Sequence, residues 1–510
     1  MPFMKFLTIF SFIVSFSVAG FSQGPKITYS EPEREDSRRT VFEIIGKLNG
    51  NHIVYKANRG EDAFCIYDNE MKLKERIKVD ITPDQVINVD FIAYPEHFFM
   101  VYQYQKKGVV NCVVAKFDGN AQKMMEPVLL DTTEIGWAAN NKIYSMVNSD
   151  DKQRIMVFKI NSKNQKNFLF TTILFNNAFE MLDKKRMSIG MEERNDYFTD
   201  FTLSNDGDLV FGKFVRQNFN EYINKLTLVT KYPDSLAFSE KEIDIGGRLL
   251  DEVKIKIDNS NKRVLINAFY YKQKRGNIEG LYTVIWDKQT NQRLKEMTSV
   301  FSEDLRVNAK SVDGNARTAF NDYFIKNIIA RRDGGYMIIA ESEYTSSRGG
   351  AFNRWDYLGG GNPWLSPGNY YYSPMYNPWS YPYSRWNNSA ITRYHAENIM
   401  VLSYSKEGSI EWSNVIPKSQ FDDETDNMVS FQLMNTGSDL HFLFNLYERR
   451  TLMLNDQSVA PDGKVTRNPT LKNLDKGYEF MPRYAKQVSA RQMIVPCLYR
   501  NYLCFAKIDF

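Results

Sequence analysis

The chain contains few cysteine and histidine residues for its length, with four of each among 510 residues. Disulfide scaffolds are small and dense in cysteine, so four thiols exclude that class for a chain of this size. His52, His97 and His441 begin equivalent strands in different repeats. They are too far apart to share a metal ion, whose ligands lie about 2 Å away. We therefore expect no metal site and no cofactor.

The sequence also lacks the motifs of the common catalytic sites and a strong charge of either sign. It has no nucleophile elbow, no P-loop and no glycine-rich dinucleotide fingerprint, so no catalytic residue is predicted. Lys and Arg number 65 against 61 Asp and Glu, a formal net charge of +4. This balance is too weak to indicate nucleic acid as a partner.

Long apolar runs are missing beyond the N-terminus. Lys5 precedes the apolar run LTIFSFIVSFSV, and Gly20 and Ser22 supply small residues for cleavage. Residues 1–22 are therefore predicted to be a signal peptide. No later segment has the eighteen consecutive apolar residues of a spanning helix. We expect an exported chain that is periplasmic, on the outer surface or extracellular, with peripheral membrane contact left open.

What the chain does contain is an eightfold repeat of short apolar strands, each beginning after a turn rich in Asn, Asp or Gly. The second strands of the repeats read HIVYKA, FFMVYQY, KIYSMV, LVFGKFV, RVLINAFYY, YMIIAESEY, LHFLFNLY and QMIVPCLY. Four short strands in each repeat of roughly 40–60 residues are typical of a β-propeller. The sequence predicts an all-β fold, a single propeller over residues 23–510. Eight blades are favoured, and seven are the alternative because the third repeat is short.

The sixth repeat carries the clearest motif, with RRDGGYMII followed later by SYSKEGSIEW. It resembles the DGGY…KxGxIxW repeats of secreted bacterial β-propeller proteins. The match covers one repeat well and the others only by pattern. The resemblance implies a fold and no activity.

The last repeat ends before a fourth strand. Without a partner its third strand would leave an open edge. The segment KITYSEP, residues 26–32, is well placed to supply the missing strand. We therefore expect the N-terminal strand to pair with the C-terminal one and close the ring.

Cys497 and Cys504 flank the sequence LYRNYL, which is typical of a hairpin turning at Arg500 and Asn501. Antiparallel pairing across such a turn places the two cysteines opposite each other. The alternatives are a cross-strand disulfide and two reduced core thiols, because disulfide geometry is strict.

An insertion at residues 345–395 is rich in Tyr, Trp, Gly and Pro and lies between the second and third strands of the sixth repeat. Its Gly and Pro argue against a helix or a regular strand. Aromatic side chains give large, rigid contact area at low entropic cost. We predict contact with a protein or glycan, the alternative being a self-packed or disordered loop. The candidate contact residues are Trp355, Trp364, Tyr371, Trp379 and Trp386.

Basic residues recur in every connection between second and third strands. The pattern predicts a basic rim that favours an anionic ligand. Ordinary charged hairpin tips, which discourage edge pairing, are the alternative. The rim candidates are Arg216, Arg275, Arg449 and Arg500.

Two functions are consistent with these features. The first is an exported, non-enzymatic binding or scaffold protein that docks a protein or glycan on its aromatic and basic loop face. The second is a carbohydrate-active enzyme with carboxylates at the propeller channel. Carboxylates converging within about 5–10 Å at the channel mouth would favour the enzyme.

Overall fold

Strands dominate every part of the chain that the structure describes. The computed structural model describes residues 25–33, 40–58, 61–81, 86–136, 142–164, 167–190, 196–216, 222–311, 314–347, 350–352, 392–423, 426–448, 451–468, 471 and 477–510. Within these ranges the α-helix is α1, Glu303–Ala309, and short 3-10 helices cover Ala316–Thr318 and Pro482–Tyr484. The prediction of an all-β fold is confirmed. None of the described helices has the length and apolar character needed to cross a membrane.

The first half of the chain forms antiparallel units of four strands, preceded by strand β1, Lys26–Tyr29. Unit 1 consists of β2 Thr40–Leu48, β3 Asn51–Asn58, β4 Glu61–Tyr67 and β5 Leu73–Lys78. Unit 2 consists of β6 Val86–Ala93, β7 His97–Lys106, β8 Val109–Asp118 and β9 Val128–Glu134. Unit 3 consists of β10 Tyr144–Asn148, β11 Arg154–Asn164, β12 Asn167–Asn176 and β13 Met181–Gly190. Unit 4 consists of β14 Asp196–Leu203, β15 Leu209–Arg216, β16 Ile223–Lys231 and β17 Ser239–Ile243.

The second half repeats the pattern after the two-residue strand β18, Leu249–Leu250, which pairs with units 4 and 5 and joins them into one sheet. Unit 5 consists of β19 Lys254–Asp258, β20 Arg263–Tyr271, β21 Ile278–Asp287 and β22 Gln292–Val300. Unit 6 consists of β23 Tyr323–Ala330, β24 Tyr336–Ser347, β25 Gly350–Phe352, β26 Thr392–Tyr404, β27 Ile410–Ile416 and β28 Gln420–Asp422. Unit 7 consists of β29 Phe431–Asn435, β30 Leu440–Glu448, β31 Thr451–Val459 and β32 Val465–Arg467. Unit 8 consists of β33 Tyr478–Phe480, β34 Lys486–Ser489, β35 Gln492–Tyr499 and β36 Tyr502–Asp509.

The edge of unit 8 is completed by the N-terminal strand, as the sequence predicts. β1 pairs antiparallel with β36, from Lys26 opposite Asp509 to Tyr29 opposite Ala506. The backbone pairing continues beyond the strand, where Ser30 N donates to Phe505 O at 2.8 Å. The N-terminal segment therefore belongs to the last sheet of the chain.

Glycines in the turns between first and second strands explain why the repeats begin where they do. Gly207, Gly334 and Gly437 occupy equivalent turns of units 4, 6 and 7, with φ of 97°, 89° and 91°. This left-handed conformation costs other residues energy and is natural for glycine in a tight hairpin. In these units the turn residues read from the sequence thus mark real hairpins. In unit 3 the assignment is wrong by one strand, because KIYSMV lies in the first strand, β10, and not in the second.

Apolar clusters between sheets hold the units together in series. In the described residues, eight buried clusters each lie mainly between two consecutive units, and one of them joins unit 8 to unit 1. In that last cluster Phe42 of unit 1 meets Phe505 of unit 8 edge to face, with ring centroids 5.5 Å apart. The core is therefore divided among the interfaces between units, and the last unit packs against the first.

The meander gives each unit two different ends. Turns between first and second strands lie at one end, which we call the turn face. Connections between second and third strands, and those leading to the next unit, lie at the other end, which we call the loop face. In unit 6, β24 runs from the turn at 331–335 on the turn face to the insertion on the loop face.

Candidate ligand-binding site

The two ends of the insertion form a ribbon on the loop face of unit 6. The ribbon is the part of β24 and β26 where residues 343–347 pair with 392–396, from Glu343 opposite Ala396 to Ser347 opposite Thr392. β25 pairs with β24 on the side opposite β26, where β23 also pairs, and β28 pairs with β26. The prediction that residues 345–395 contain no regular strand is therefore wrong at both ends. The Pro residues and most of the Gly residues lie between 353 and 391, whereas the ends are polar, β-branched and aromatic.

A stacked pair of rings fixes the two strands of the ribbon against each other. The ring centroids of Tyr344 and His395 lie 4.3 Å apart, and the ring planes make an angle of 10°. The Tyr344 hydroxyl donates to Glu397 Oε1 at 3.0 Å, and Ser346 Oγ lies 3.0 Å from His395 Nε2. Burial, together with the positive charge of Arg393, lowers the pKa of His395. The imidazole is therefore neutral at neutral pH and adds no charge to the ribbon.

The outer edge of the ribbon presents an exposed aromatic ring beside an ion pair. Arg393 contacts Asp423 through two hydrogen bonds of 2.5 and 3.0 Å. The same guanidinium lies 4.4 Å from the ring centroid of Phe421, which is 49% exposed. A cation over an aromatic face is a favourable arrangement that holds the ring in one orientation. The edge offers a flat, fixed contact surface next to the insertion.

Beneath the ribbon lies a set of paired charges that we call the inter-unit ion network, made of Lys326, Glu341, Glu343, Lys418, Asp426 and Arg483. Its deepest pair is Lys418 Nζ and Glu341 Oε1, which are 2.8 Å apart with both side chains 0% exposed. Ser430, at the entry to unit 7, also donates a hydrogen bond to Glu341. Lys418 Nζ further donates to Gln420 Oε1 at 2.7 Å. The buried carboxylate is thus contacted by Lys418 of unit 6 and by Ser430 at the entry to unit 7.

The second carboxylate of the network ties unit 6 to unit 8. Glu343 accepts from Lys326 Nζ at 2.5 Å and from Arg483 Nη2 at 2.9 Å. Arg483 also pairs with Asp426, which precedes unit 7, at 2.5 Å. Units 6, 7 and 8 are therefore joined on the loop face by charge-assisted hydrogen bonds, which are stronger than neutral ones.

The two carboxylates have opposite pKa shifts because their surroundings differ. Burial raises the pKa of Glu341, against the attraction of Lys418. Burial also acts to raise the pKa of Glu343, but Lys326 and Arg483 outweigh it and lower that pKa to about 2. Lys326 Nζ, 2.5 Å from Glu343, lies only 3.9 Å from Glu341 Oε2. Carboxylates do converge here, but each is buried and paired with a cation. Such an arrangement specifies how units meet and offers no free acid to a substrate.

Several residues predicted as ligand contacts lie outside the described residues, so those predictions stand as made. They are Trp355, Trp364, Tyr371, Trp379, Trp386 and Arg449. Arg275 and Arg500 are described, and both are exposed at hairpin tips with φ of 58° and 50°. Their positions agree with the predicted rim and equally with ordinary charged tips.

Arg216 does not belong to an exposed rim, and that part of the prediction is wrong. Its side chain is 2% exposed and donates a hydrogen bond to the backbone oxygen of Asp251. The guanidinium also lies 5.2 Å from the ring centroid of Phe214. The cause is β18, whose Leu250 pairs with Ile223 and brings the following residues across the end of β15. The connection between units 4 and 5 forms the strand β18 and covers the end of β15, so Arg216 is buried.

Cys497 and Cys504 lie directly opposite each other in β35 and β36, as the hairpin pattern predicts. Their Sγ atoms are 3.1 Å apart, and both are buried free thiols. The predicted register is confirmed. The disulfide stays a prediction, and the alternative of two reduced core thiols matches the structure.

Only part of the ion network is visible in the sequence. Glu341 and Glu343 interrupt the otherwise apolar strand YMIIAESEY, and buried charges within a strand require partners. Their partners Lys418 and Arg483 lie in a connection and a 3-10 helix, where a basic residue is unremarkable. Nothing in the sequence pairs residues so distant along the chain.

Comparisons with known proteins give low similarity throughout. The chain matches no family model and no curated protein. Among solved structures, it is similar to a prolyl oligopeptidase B from Galerina marginata, with a TM-score of 0.41, 8% identity and 91% of this chain covered. It spans 56% of the length of that protein. A Synechocystis apocarotenoid oxygenase gives a TM-score of 0.34 at 7% identity, covering 73% of this chain and 72% of that one. Similarity of this extent assigns neither substrate nor activity to this chain.

Proposed function

We propose that the eight units are the blades of one eight-bladed β-propeller. The support is the series of buried clusters, each mainly between consecutive units, with one between unit 8 and unit 1. β33 and β34 both pair with the same side of β35, so β1, beyond β36, supplies the fourth position across the sheet of unit 8. A ring of blades buries apolar sheet faces against neighbours and leaves only short edges outside.

We further propose that the chain is an exported, non-enzymatic binding or scaffold protein that docks a protein or glycan on its loop face. The observation that carries this proposal is the ribbon, which fixes both ends of residues 353–391 on that face. These 39 residues contain seven Tyr and four Trp. Aromatic side chains of this kind bring large contact area and a polar group each. Export rests on the predicted signal peptide at residues 1–22.

The inter-unit ion network supports a binding role by giving the ribbon a rigid base. Paired buried charges hold units 6, 7 and 8 in one arrangement beneath the ribbon. A contact surface mounted on rigid elements loses less entropy on binding than one on a loose loop.

A carbohydrate-active enzyme remains a second candidate because two carboxylates converge on Lys326. Glycoside hydrolysis needs one carboxyl group as an acid and another within reach of the sugar. Glu341 is completely buried and Glu343 is 4% exposed. Because no sugar can reach a buried, ion-paired carboxylate, we favour the binding function.

The test removes residues 353–391 and joins Phe352 to Thr392 through a short Gly-Ser bridge. We expect the variant to fold with an unchanged thermal unfolding midpoint, because the ribbon pairing stays intact. In a pull-down from the envelope fraction of the source cells, and on an array of glycans, it should lose the ligands that the full chain retains. The matched control, Glu70→Gln, changes an exposed residue on the opposite, turn face and should keep them. Equal binding by the full and shortened chains would refute the proposal.

A further inference from the structure

A cleft of about 1020 Å³ lies between units 6 and 7 on the turn face. One wall is the turn Arg331–Asp333 of unit 6 with the outer strand residue Trp412. The other wall is formed by residues 435–439 and 459–461 of unit 7. Binding pockets for small organic ligands span about 300–1,000 Å³, so the cleft is large enough for one.

The indole of Trp412 is held in a fixed position in the wall of this cleft. Its Nε1 donates to the backbone oxygen of Pro461 at 3.1 Å. Gly463, with φ of 87°, packs so closely that a Cβ there would meet the indole ring at 2.7 Å. Glycine at this position lets the unit 7 turn support the ring from one side. The ring stays half-buried and lines the cleft, so it offers a preformed flat surface.

The floor of the cleft is apolar. Ile329 and Met337 of unit 6 and Leu440 and Val459 of unit 7 line it, and all four belong to or pack on the cluster between these units. The floor is therefore part of the core between units and keeps its shape without a ligand.

The rim of the cleft is polar and carries both hydrogen-bond donors and acceptors. Arg331 donates to Asp333 at 2.6 and 3.1 Å and to Glu411 at 2.5 and 3.1 Å, which fixes both carboxylates at the rim. Each carboxylate oxygen has further accepting capacity. The exposed Arg332 has no ion pair among the described residues, and Asp439 completes the rim on the unit 7 side.

We propose that this cleft binds a neutral oligosaccharide. Sugar hydroxyls both donate and accept, and the rim offers carboxylates and a guanidinium side by side. The apolar face of a sugar ring packs on a flat indole, and the fixed Trp412 presents one. Arg331 and Arg332 against Asp333, Glu411 and Asp439 leave a formal charge of only −1. That balance gives no attraction for a polyanion and little for a polycation.

This site is independent of the function proposed for the loop face. The cleft lies at the start of β24 and the insertion at its end, and β24 has 12 residues. At about 3.3 Å per residue the two ends are about 36 Å apart. Removing residues 353–391 should therefore leave binding in the cleft unchanged.

The experiment titrates the full chain with cellohexaose, mannohexaose and chitohexaose by calorimetry. We expect at least one hexasaccharide to bind, and Trp412→Ala to weaken it at least tenfold. Tyr502→Ala removes an aromatic that is 42% exposed on the loop face and should bind like the full chain. Absence of binding by all three sugars at millimolar concentration overturns the proposal. Equal loss in the Tyr502 control also overturns it, because the binding would then lie on the loop face.

A second variant covers the case in which Trp412→Ala unfolds the chain. Ser438 is an exposed turn residue of the cleft wall, so Ser438→Trp fills the cleft without changing the core. We expect this variant to keep the thermal unfolding midpoint of the full chain and to lose hexasaccharide binding at least tenfold. Undiminished binding in a folded Ser438→Trp variant overturns the assignment to this cleft.

Discussion

The two faces of unit 6 use charge in opposite ways. On the loop face, Glu341 and Lys418 form an ion pair that is 0% exposed on both sides. On the turn face, Arg331 pairs with Asp333 and Glu411, whose side chains are 62% and 35% exposed. Buried charges are costly unless paired, whereas exposed pairs gain little. On the loop face the paired charges therefore hold neighbouring units together. On the turn face the charged side chains stay accessible to a ligand.

The largest effect is expected on breaking the buried pair. Lys418→Met leaves Glu341 buried without its cation, and we expect the free energy of unfolding to fall by about 3–5 kcal/mol. Urea denaturation of the two proteins measures this difference. The double variant Glu341→Gln with Lys418→Met should recover part of the loss, because it leaves no unpaired buried charge. If Lys418→Met lowered the free energy of unfolding no more than the loss of an exposed ion pair does, the two faces would not differ in their use of charge.

An intermediate effect is expected in the acid dependence of stability. The pKa of Glu343 in the folded chain is about 2, below its ordinary value of 4.5. Its ionised form therefore stabilises the fold above pH 4.5, and this stabilisation is lost as the pH falls from there towards 2. Glu343→Gln should flatten this part of the profile of unfolding midpoint against pH.

The neighbouring carboxyl group has the opposite influence on that profile. The raised pKa of Glu341 means that its charge costs stability at neutral pH and that protonation in acid relieves the cost. The exposed Glu70→Gln variant serves as the control and should keep the acid loss of the full chain. An identical profile for Glu343→Gln and the full chain would contradict the role given to Lys326 and Arg483.

The smallest effect is expected on the turn face. Arg331→Gln removes the cation that joins Asp333 and Glu411, both of which remain solvated. We expect the free energy of unfolding to fall by about 1 kcal/mol or less, measured by the same denaturation. A loss as large as that for Lys418→Met would show that the turn-face pair is structural as well.

The sequence predicted the parts of this fold that follow from local rules. Alternating apolar residues and turn glycines such as Gly334 mark the strands, because side-chain period and backbone conformation are local properties. The pairing of residues 26–29 with the last strand was predictable because a missing strand leaves an edge that must be filled. Cys497 and Cys504 were placed opposite each other by counting along one hairpin.

The rest could not be predicted because it depends on contacts between distant segments. Arg216 looks like a hairpin tip until Leu250 pairs across it from a connection. Glu341 meets Lys418 only after β24 and β26 have paired and the following connection has returned to the strand end. The residues of such a polar network follow no regular spacing and no sequence motif. Glu341 and Glu343 could therefore be noticed in the sequence, but their partners could not.

The strand pairing at the end of the chain sets an order for folding during synthesis. β1 is made before units 1 to 7 and β36 after them, so Tyr29 finds its partner Ala506 only when those seven units already exist. Contacts so distant in sequence are slow to form, because a long loop must close first. Units 1 to 7 can assemble their own strands as they emerge, while β1 waits for β36 of unit 8. The earliest of the described strands is thus placed last.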